Sequence, residues 1–414
     1  MDRLNNLATQ LEQNPAKGLD AITSKNPDDV VITAAYRTAH TKGGKGLFKD
    51  TSSSELLASL LEGLVKESKI DPKLIGDVVC GNVLAAGAGA TEHRAACLVA
   101  GIPETVPFVA LNRQCSSGLM AVNDVANKIR AGQIDIGIGC GVESMSNQYG
   151  PNSVTPFSNK FQNNEEAKKC LIPMGITSEN VAAKYNVSRK AQDAFAAKSY
   201  EKAAAAQAAG KFDQEILPIK TTVLDDDDNE KEVTVNKDDG IRPGVTAEKL
   251  GKLKPAFSAE GTTHAGNASQ ISDGAGAVLL MRRSVAEKLG QPILAKFVHC
   301  KTVGVPPELM GIGPAYAIPA VLEDLGLTVN DVDVFEINEA FASQALFSIQ
   351  HCGIDESKVN PRGGAIAIGH PLGATGARQF ATLLSELKES GKKVGVTSMC
   401  IGTGMGAASL VVAE

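Results

Sequence analysis

Apolar positions along this chain follow two rhythms. Short runs rich in β-branched residues, at 30–33, 75–79, 134–138, 332–337 and 393–397, have the length and composition of buried strands. Between them, 54–66, 118–131 and 375–388 space their apolar residues at helical intervals. Alternating strands and helices predict an α/β fold. The order strand, loop, helix, strand occurs twice. Val79 aligns with Val334, Cys115 with His370 and Gly118 with Gly373 at one offset of about 255 residues, longer than any solenoid period. That pattern predicts a duplicated α/β unit whose loops converge. A polar, helix-compatible insertion from about 148 to 270, with helices at 179–184 and 190–209, reads as a cap over the convergence. The expected segments are a leading stretch and linker (1–28), a first half (29–147 plus 271–292), the insertion (148–270) and a second half (293–414).

Composition narrows the chemistry. The 414 residues carry a net charge of −6, 41 glycines and no Trp, which leaves neither a basic footprint nor aromatic platforms for nucleic acid. Eight cysteines lack any C-x-x-C pair, so they read as separate thiols rather than a disulfide framework or a zinc cage. No metal site is expected. The run Asp225–Asp228 lacks the alternating ligands of a calcium loop and reads as a solvated turn. No apolar run approaches the ~20 residues of a membrane span.

Three glycine-flanked residues are candidates for catalysis. Cys115, in Asn112-Arg113-Gln114-Cys115-Ser116-Ser117-Gly118, precedes a helix whose N-terminus is expected to favour a thiolate. His370, within a glycine-dense turn from Gly363 to Gly376, can accept a thiol proton and then donate to an oxygen gaining charge. Cys400 ends an apolar run and is followed by Ile401-Gly402-Thr403-Gly404, where a second thiol meets backbone amides suited to an oxyanion. Asn338, in Asn338-Glu339-Ala340-Phe341, orients a water or caps the next helix.

Together with Gly141-Val142-Glu143-Ser144-Met145-Ser146, these motifs occur in an order that resembles the thiolase family from Val30 to the C-terminus. The resemblance implies a thiolase-like fold of two duplicated βαβαβαββ halves with an inserted cap (loop) domain. It implies thiolytic cleavage of a 3-ketoacyl-CoA, with Cys115 carrying the acyl thioester, His370 activating it and Cys400 as second acid/base. Asn338, through a water, and His370 would form one oxyanion hole; the amides of Cys115 and Gly402 would form the other. Coenzyme A is then a co-substrate, with no permanently bound cofactor. Asp239-Gly240-Ile241-Arg242, Lys254-Pro255-Ala256-Phe257 and Ala265–Ser269 resemble the family's coenzyme A loop, with Arg242 at the nucleotide end, Ser269 at the pantetheine arm and Lys252 and Lys254 adding positive charge. His264 and Pro173 depart from the family's usual residues. The resemblance further implies a homodimer. Arg3-Leu4 and Gln10-Leu11, on an amphipathic stretch, resemble an N-terminal peroxisomal targeting signal read by an import receptor, with the cytosol as the fallback location. The alternatives are condensation of two acetyl-CoA molecules by the same residues, a non-catalytic acyl-CoA carrier, and a nicotinamide oxidoreductase. The last lacks a G-x-G-x-x-G turn after the first strand.

Overall fold

The computed structural model describes residues 17–149, 158–225, 227 and 229–414. The targeting-like stretch lies outside the described residues. The strands are β1 (Val30–Arg37), β2 (Thr41–Lys42), β3 (Asp77–Gly81), β4 (Phe108–Leu111), β5 (Ile136–Ser144), β6 (Ile219–Leu224), β7 (Glu230–Val235), β8 (Ser272–Arg282), β9 (Ala295–Gly304), β10 (Val334–Ile337), β11 (Val394–Ile401) and β12 (Met405–Ala413). Ten of them form one sheet, nine along the path β10-β11-β12-β9-β1-β8-β5-β3-β4 and β2 on β8.

The path contains the same unit twice. β3 and β5 pair in parallel, then β8 and β1 continue antiparallel. β10 and β11 pair in parallel, then β12 and β9 continue antiparallel. The two units join where β1 meets β9, through only two residue pairs, Val31 with Lys296 and Ile32 with Ala295. The duplicated α/β fold read from the sequence is the fold observed.

Alternation along each strand sorts the core into layers. Val30, Ile32 and Val79 of the first unit, and Ala295, Phe297, Val334 and Val411 of the second, share one cluster with Leu119, Val122, Phe380 and Leu383. Those last four belong to helices α3 (Ser117–Arg130) and α8 (Thr375–Ser390), so both helices lie between the sheets. Val31, Val78 and Cys80 face the opposite way, toward α1 (Ser53–Ser68) and α2 (Ala90–Val99). Phe335, Val396 and Leu410 face α6 (Gly313–Leu325) and α7 (Ala342–Cys352). Strands covered on both faces carry near-continuous apolar runs, which is why they were legible.

Some boundaries differ. The runs expected from 75, 134 and 332 begin as strands at Asp77, Ile136 and Val334. A short helix, Leu19–Thr23, stands inside the expected linker and buries Ile22. The insertion holds the expected helices as α4 (Met174–Lys184) and α5 (Arg189–Ala208), and also the unforeseen β6–β7 hairpin. β7 is largely exposed and charged, and β6 buries only Ile219 and Thr221, too short an apolar signal to stand out. At the hairpin tip Asp225 Oδ1 accepts from the amides of Asp227 and Asn229, each at 2.9 Å, as a solvated turn would.

The central helices meet through glycine. A Cβ on Gly118 would stand 2.6 Å from the Gly373 carbonyl oxygen, and one on Gly376 would stand 2.2 Å from the Leu119 nitrogen. Both neighbours are backbone, so no side-chain rearrangement relieves the clash. Gly376→Ala should cost about 2–3 kcal/mol. Gly304→Ala, whose Cβ would meet nothing within 4 Å, should be near neutral. Urea midpoints of the two variants check this pair.

Candidate functional site

Four loop ends converge where α3 and α8 begin. Gln114 adopts φ 49°, and the Ser117 hydroxyl accepts from Arg113 N at 2.9 Å while donating to Gln114 O at 2.7 Å. This knot presents Cys115 at the mouth of α3. His370 N donates to Gln270 O at 3.2 Å, and the Gln270 amide donates to the carbonyls of Gly240, Ile366 and Ala367 at 3.1 Å each. Asn338 leaves the end of β10 with its amide on Ser398 O at 2.8 Å. Cys400 lies near the end of neighbouring β11, and the turn after it needs glycine. A Cβ on Gly404, at φ 91°, would come within 2.3 Å of Val305 O.

Hydrogen bonds assign the histidine its tautomer. Asn338 Nδ2 lies 3.3 Å from His370 Nε2 and His370 Nδ1 lies 2.6 Å from Thr375 Oγ1. The Thr375 hydroxyl donates to Pro371 O at 3.0 Å. With Nδ1–H given to Thr375, Nε2 keeps its lone pair toward Asn338, whose Oδ1 is buried without a partner in the protein. Burial first, and then the Arg378 guanidinium, push His370 down to about 3. It is therefore neutral at physiological pH and able to accept a proton.

The thiols behave differently from the expectation. Cys115 retains some exposure, and the amides of Gly402 and of Cys115 itself direct N–H groups at its sulfur, favouring the thiolate. Burial outweighs them and pushes the thiol up. The thiolate expected from the helix terminus is not the resting form, because desolvation of a crowded sulfur exceeds what two N–H dipoles return. Cys400 is fully buried, and burial followed by the proximity of Cys115 pushes its thiol up as well. The structure thus joins Cys115, Gly402 and Cys400 on one side, and Asn338 and His370 on the other.

The cap places its residues unequally. Ser269 N donates to Ala340 O at 2.9 Å and Ala268 bridges to Phe341, so Ser269 abuts the Asn338 turn. Arg242 is exposed, bonds the Tyr200 hydroxyl at 3.0 Å and stacks its guanidinium over that ring, so no contact draws it to the thiols. Lys252 and Lys254 are exposed, the former paired with Glu248 at 3.0 Å. His264 is buried: Nδ1 accepts from Gly266 N at 2.9 Å, and Nε2 therefore donates to Asp193 Oδ1 at 2.8 Å. It latches the loop to α5. Pro173 caps the start of α4. Among the described residues no group of three or more His, Cys, Asp or Glu could hold a metal ion, and no helix is long and apolar enough to cross a membrane.

Comparison with known proteins decides the family. Residues 30–284 match the N-terminal domain of thiolase and 291–413 match the C-terminal domain. The chain belongs to the thiolase family. It is 58% identical to the peroxisomal 3-ketoacyl-CoA thiolase A of Candida tropicalis over 415 residues, covering all of both chains. It is 55% identical to the human peroxisomal 3-ketoacyl-CoA thiolase, over 92% of this chain and 90% of that one. The crystal structure of the dimeric peroxisomal thiolase of Saccharomyces cerevisiae superposes with a TM-score of 0.89 at 58% identity, over 96% of this chain and 100% of the other. The acetyl-CoA acetyltransferase of Bacillus anthracis gives 0.84 at 36% identity, over 93% and 99%. This thiolase is accordingly an acyltransferase.

Several residues that hold the thiolase site carried no assigned role in the sequence. Glu143, at the end of β5, is fully buried and accepts from Asn82 Nδ2, Leu84 N, Val83 N and Gly373 N at 2.9–3.1 Å. It ties the first half to the histidine loop. An acid inside the glycine-rich apolar run 136–145 was the available signal. Glu339 is likewise buried; it accepts from Ser199 Oγ at 2.6 Å and Asn360 Nδ2 at 2.7 Å, holding the approach to the glycine loop. Thr375 and Gln270 gave no signal, since ordinary polar residues acquire such roles only through their neighbours.

The raised Cys115 sets a pH dependence. Alkylation reads the thiolate, and a raised thiol leaves less of it at neutral pH than a free cysteine has. The iodoacetamide rate at Cys115 should climb about tenfold per pH unit up to the ordinary thiol range and beyond it. A plateau reached below neutrality, by peptide mapping, would contradict this.

Proposed function

We propose that this thiolase cleaves 3-ketoacyl-CoA with coenzyme A, yielding acetyl-CoA and a shortened acyl-CoA, as in fatty-acid β-oxidation. The observation that carries the reading is the neutral His370, set by Thr375 and Asn338 at the Gly118–Gly373 crossing, on which the Cys115 loop also converges with Gly402 packed against Gln114. Cys115 gives its proton to His370 Nε2 as its sulfur adds to the keto carbon, so the buried thiolate need never stand alone. The bond between C2 and C3 breaks, the acyl group stays on Cys115, and the Cys400 thiol protonates the departing acetyl-CoA enolate. The Cys400 thiolate then takes the proton of incoming coenzyme A, whose sulfur attacks the acyl thioester, and Cys115 leaves with the proton returned by His370. The amides of Cys115 and Gly402 serve one developing oxyanion; His370 and a water on Asn338 serve the other.

Coenzyme A acts here as co-substrate, with no permanent cofactor. In the same proposal 148–270 forms its binding domain, between a first half of 29–147 plus 271–292 and a second half of 293–414. Ser269 meets the pantetheine arm and Arg242 the nucleotide. Support for Ser269 is its contact with the Asn338 turn; Arg242 is an exposed cation preorganised on Tyr200. The condensation of two acetyl-CoA molecules is the second reading. The higher identity to peroxisomal 3-ketoacyl-CoA thiolases, and an exposed apolar rim of Met174, Leu253 and Phe257 with Phe257 edge-on to Phe341 at 6.5 Å, favour longer acyl chains. We place the protein in the peroxisome, as the names of its relatives and the Arg3-Leu4, Gln10-Leu11 pattern suggest, delivered by an import receptor.

The yeast relative is dimeric, and we propose a homodimer through the free edge of β4, where Val109 is exposed beside Leu98 and Val99 of α2. Val109→Lys should yield monomers in sedimentation.

Brief exposure to a 3-ketoacyl-CoA followed by mass spectrometry should find one acyl adduct, on the Cys115 peptide, absent from Cys115→Ala. Thiolysis should extend beyond four-carbon substrates. An adduct elsewhere, or turnover confined to acetoacetyl-CoA, would overturn the nucleophile or the chain-length assignment respectively.

A further inference from the structure

His40 lies between β1 and β2 with 1% exposure, yet neither ring nitrogen completes a hydrogen bond. Orphaning a buried polar group costs roughly 1–3 kcal/mol. A leucine would fill the same space without that cost, so the surroundings decide what the imidazole does.

Those surroundings are the back of the His370 turn. A Cβ on Gly274 of β8 would come within 2.6 Å of His40 Cδ2 and 3.3 Å of Pro371 Cγ. A Cβ on Gly369 would come within 3.8 Å of His40 Cβ. Gly274, lacking a Cβ, thus leaves room for the ring to back onto Pro371, with the His40 Cβ at ordinary packing distance from the Gly369 position. The Gly369 backbone favours a proton on the ring, although neither ring nitrogen completes a bond to it. The backbone of His40 is itself anchored: its N–H donates to Asp238 Oδ1 at 2.7 Å and its carbonyl accepts from Asp239 N at 3.2 Å. Asp238 in turn holds Arg37 through both carboxylate oxygens at 2.7 and 2.9 Å.

We propose that His40 is a positioning residue, presenting a ring N–H to the Gly369 carbonyl from behind and so setting where His370 Nε2 stands relative to Cys115. The proposal rests on the reading of His370 as the base. Hydrogen bonds that support catalysis are often long in the free enzyme and tighten in the complex, which suits an imidazole facing a carbonyl it does not yet bond. The charged groups around it are Arg37 from β1, Arg378 from α8, Asp238 and Asp239 from the cap, Asp273 beside Gly274, and His370 itself. Burial, then Arg37, Arg378 and His370, push His40 well below the ordinary imidazole range. It therefore remains a neutral donor and does not compete for the Cys115 proton.

Steady-state thiolysis by the full-length enzyme, between about pH 6 and pH 9, tests this with His40→Leu, His40→Asn and His40→Gln. His40→Leu should lower kcat about tenfold, the worth of one well-placed hydrogen bond. KM and the shape of the pH profile should not change, because His40 touches no substrate and does not titrate. One of the two amide variants, which keep an N–H, should recover most of the loss. Wild-type kcat in His40→Leu, a loss that neither amide recovers, or a changed pH profile would overturn the proposal. His370→Asn separates the two claims: if it retains acyl transfer, the assignment of the base falls; if it does not and His40→Leu is unaffected, only the role of His40 falls.

Discussion

The site exists because two helices touch backbone to backbone. Gly118 and Gly376 leave no room for a Cβ at the crossing of α3 and α8, and Gly141 and Gly373 meet so closely that a Cβ on the former would stand 2.0 Å from the Gly373 oxygen. That crossing brings the mouths of the two helices, and hence Cys115 and His370, to a common space. Cys115 comes from one copy of the duplicated unit and His370 from the other, so the convergence needs both copies. Glu143 fastens the crossing, its carboxylate filled by four N–H donors of which one belongs to Gly373.

Electrostatics at the crossing keep the two thiols and the imidazole uncharged at rest. Burial holds both thiols protonated and His370 neutral. A layer of ion pairs lies behind, where Arg37 pairs with Glu215 and Asp238, and Arg378 pairs with Glu336 at 3.3 Å. These fully buried pairs link β1 to the insertion and α8 to β10, and removing one partner would strand a charge in the core. Arg378 is also the cation that disfavours protonated His370. The fold thus spends an ionic network on orientation while leaving the reacting groups poised to exchange a proton only when substrate arrives.

The cap belongs to the site as much as the halves do. Gln270 holds His370 N and three carbonyls around it, while Ser269 and Ala268 grip the Asn338–Phe341 turn. His264 and Asp193 lock that loop onto α5. The insertion therefore holds the loops of the convergence in place.

Local pattern by itself determined the alternating elements, the duplication and the glycine-flanked Cys115, His370 and Cys400, since doubly covered strands read as apolar runs and close backbone approach demands glycine. It did not disclose the β6–β7 hairpin, whose buried face is only Ile219, Thr221 and Val235 amid charged and threonine-rich neighbours. Tertiary structure alone decided the protonation state of Cys115, because the helix terminus is local to the chain whereas desolvation comes from atoms of distant segments. The same holds for Glu143, Gln270, Thr375 and His40. Each is an ordinary polar residue in sequence, and its role arises only from which buried donors and carbonyls the folded halves bring against it.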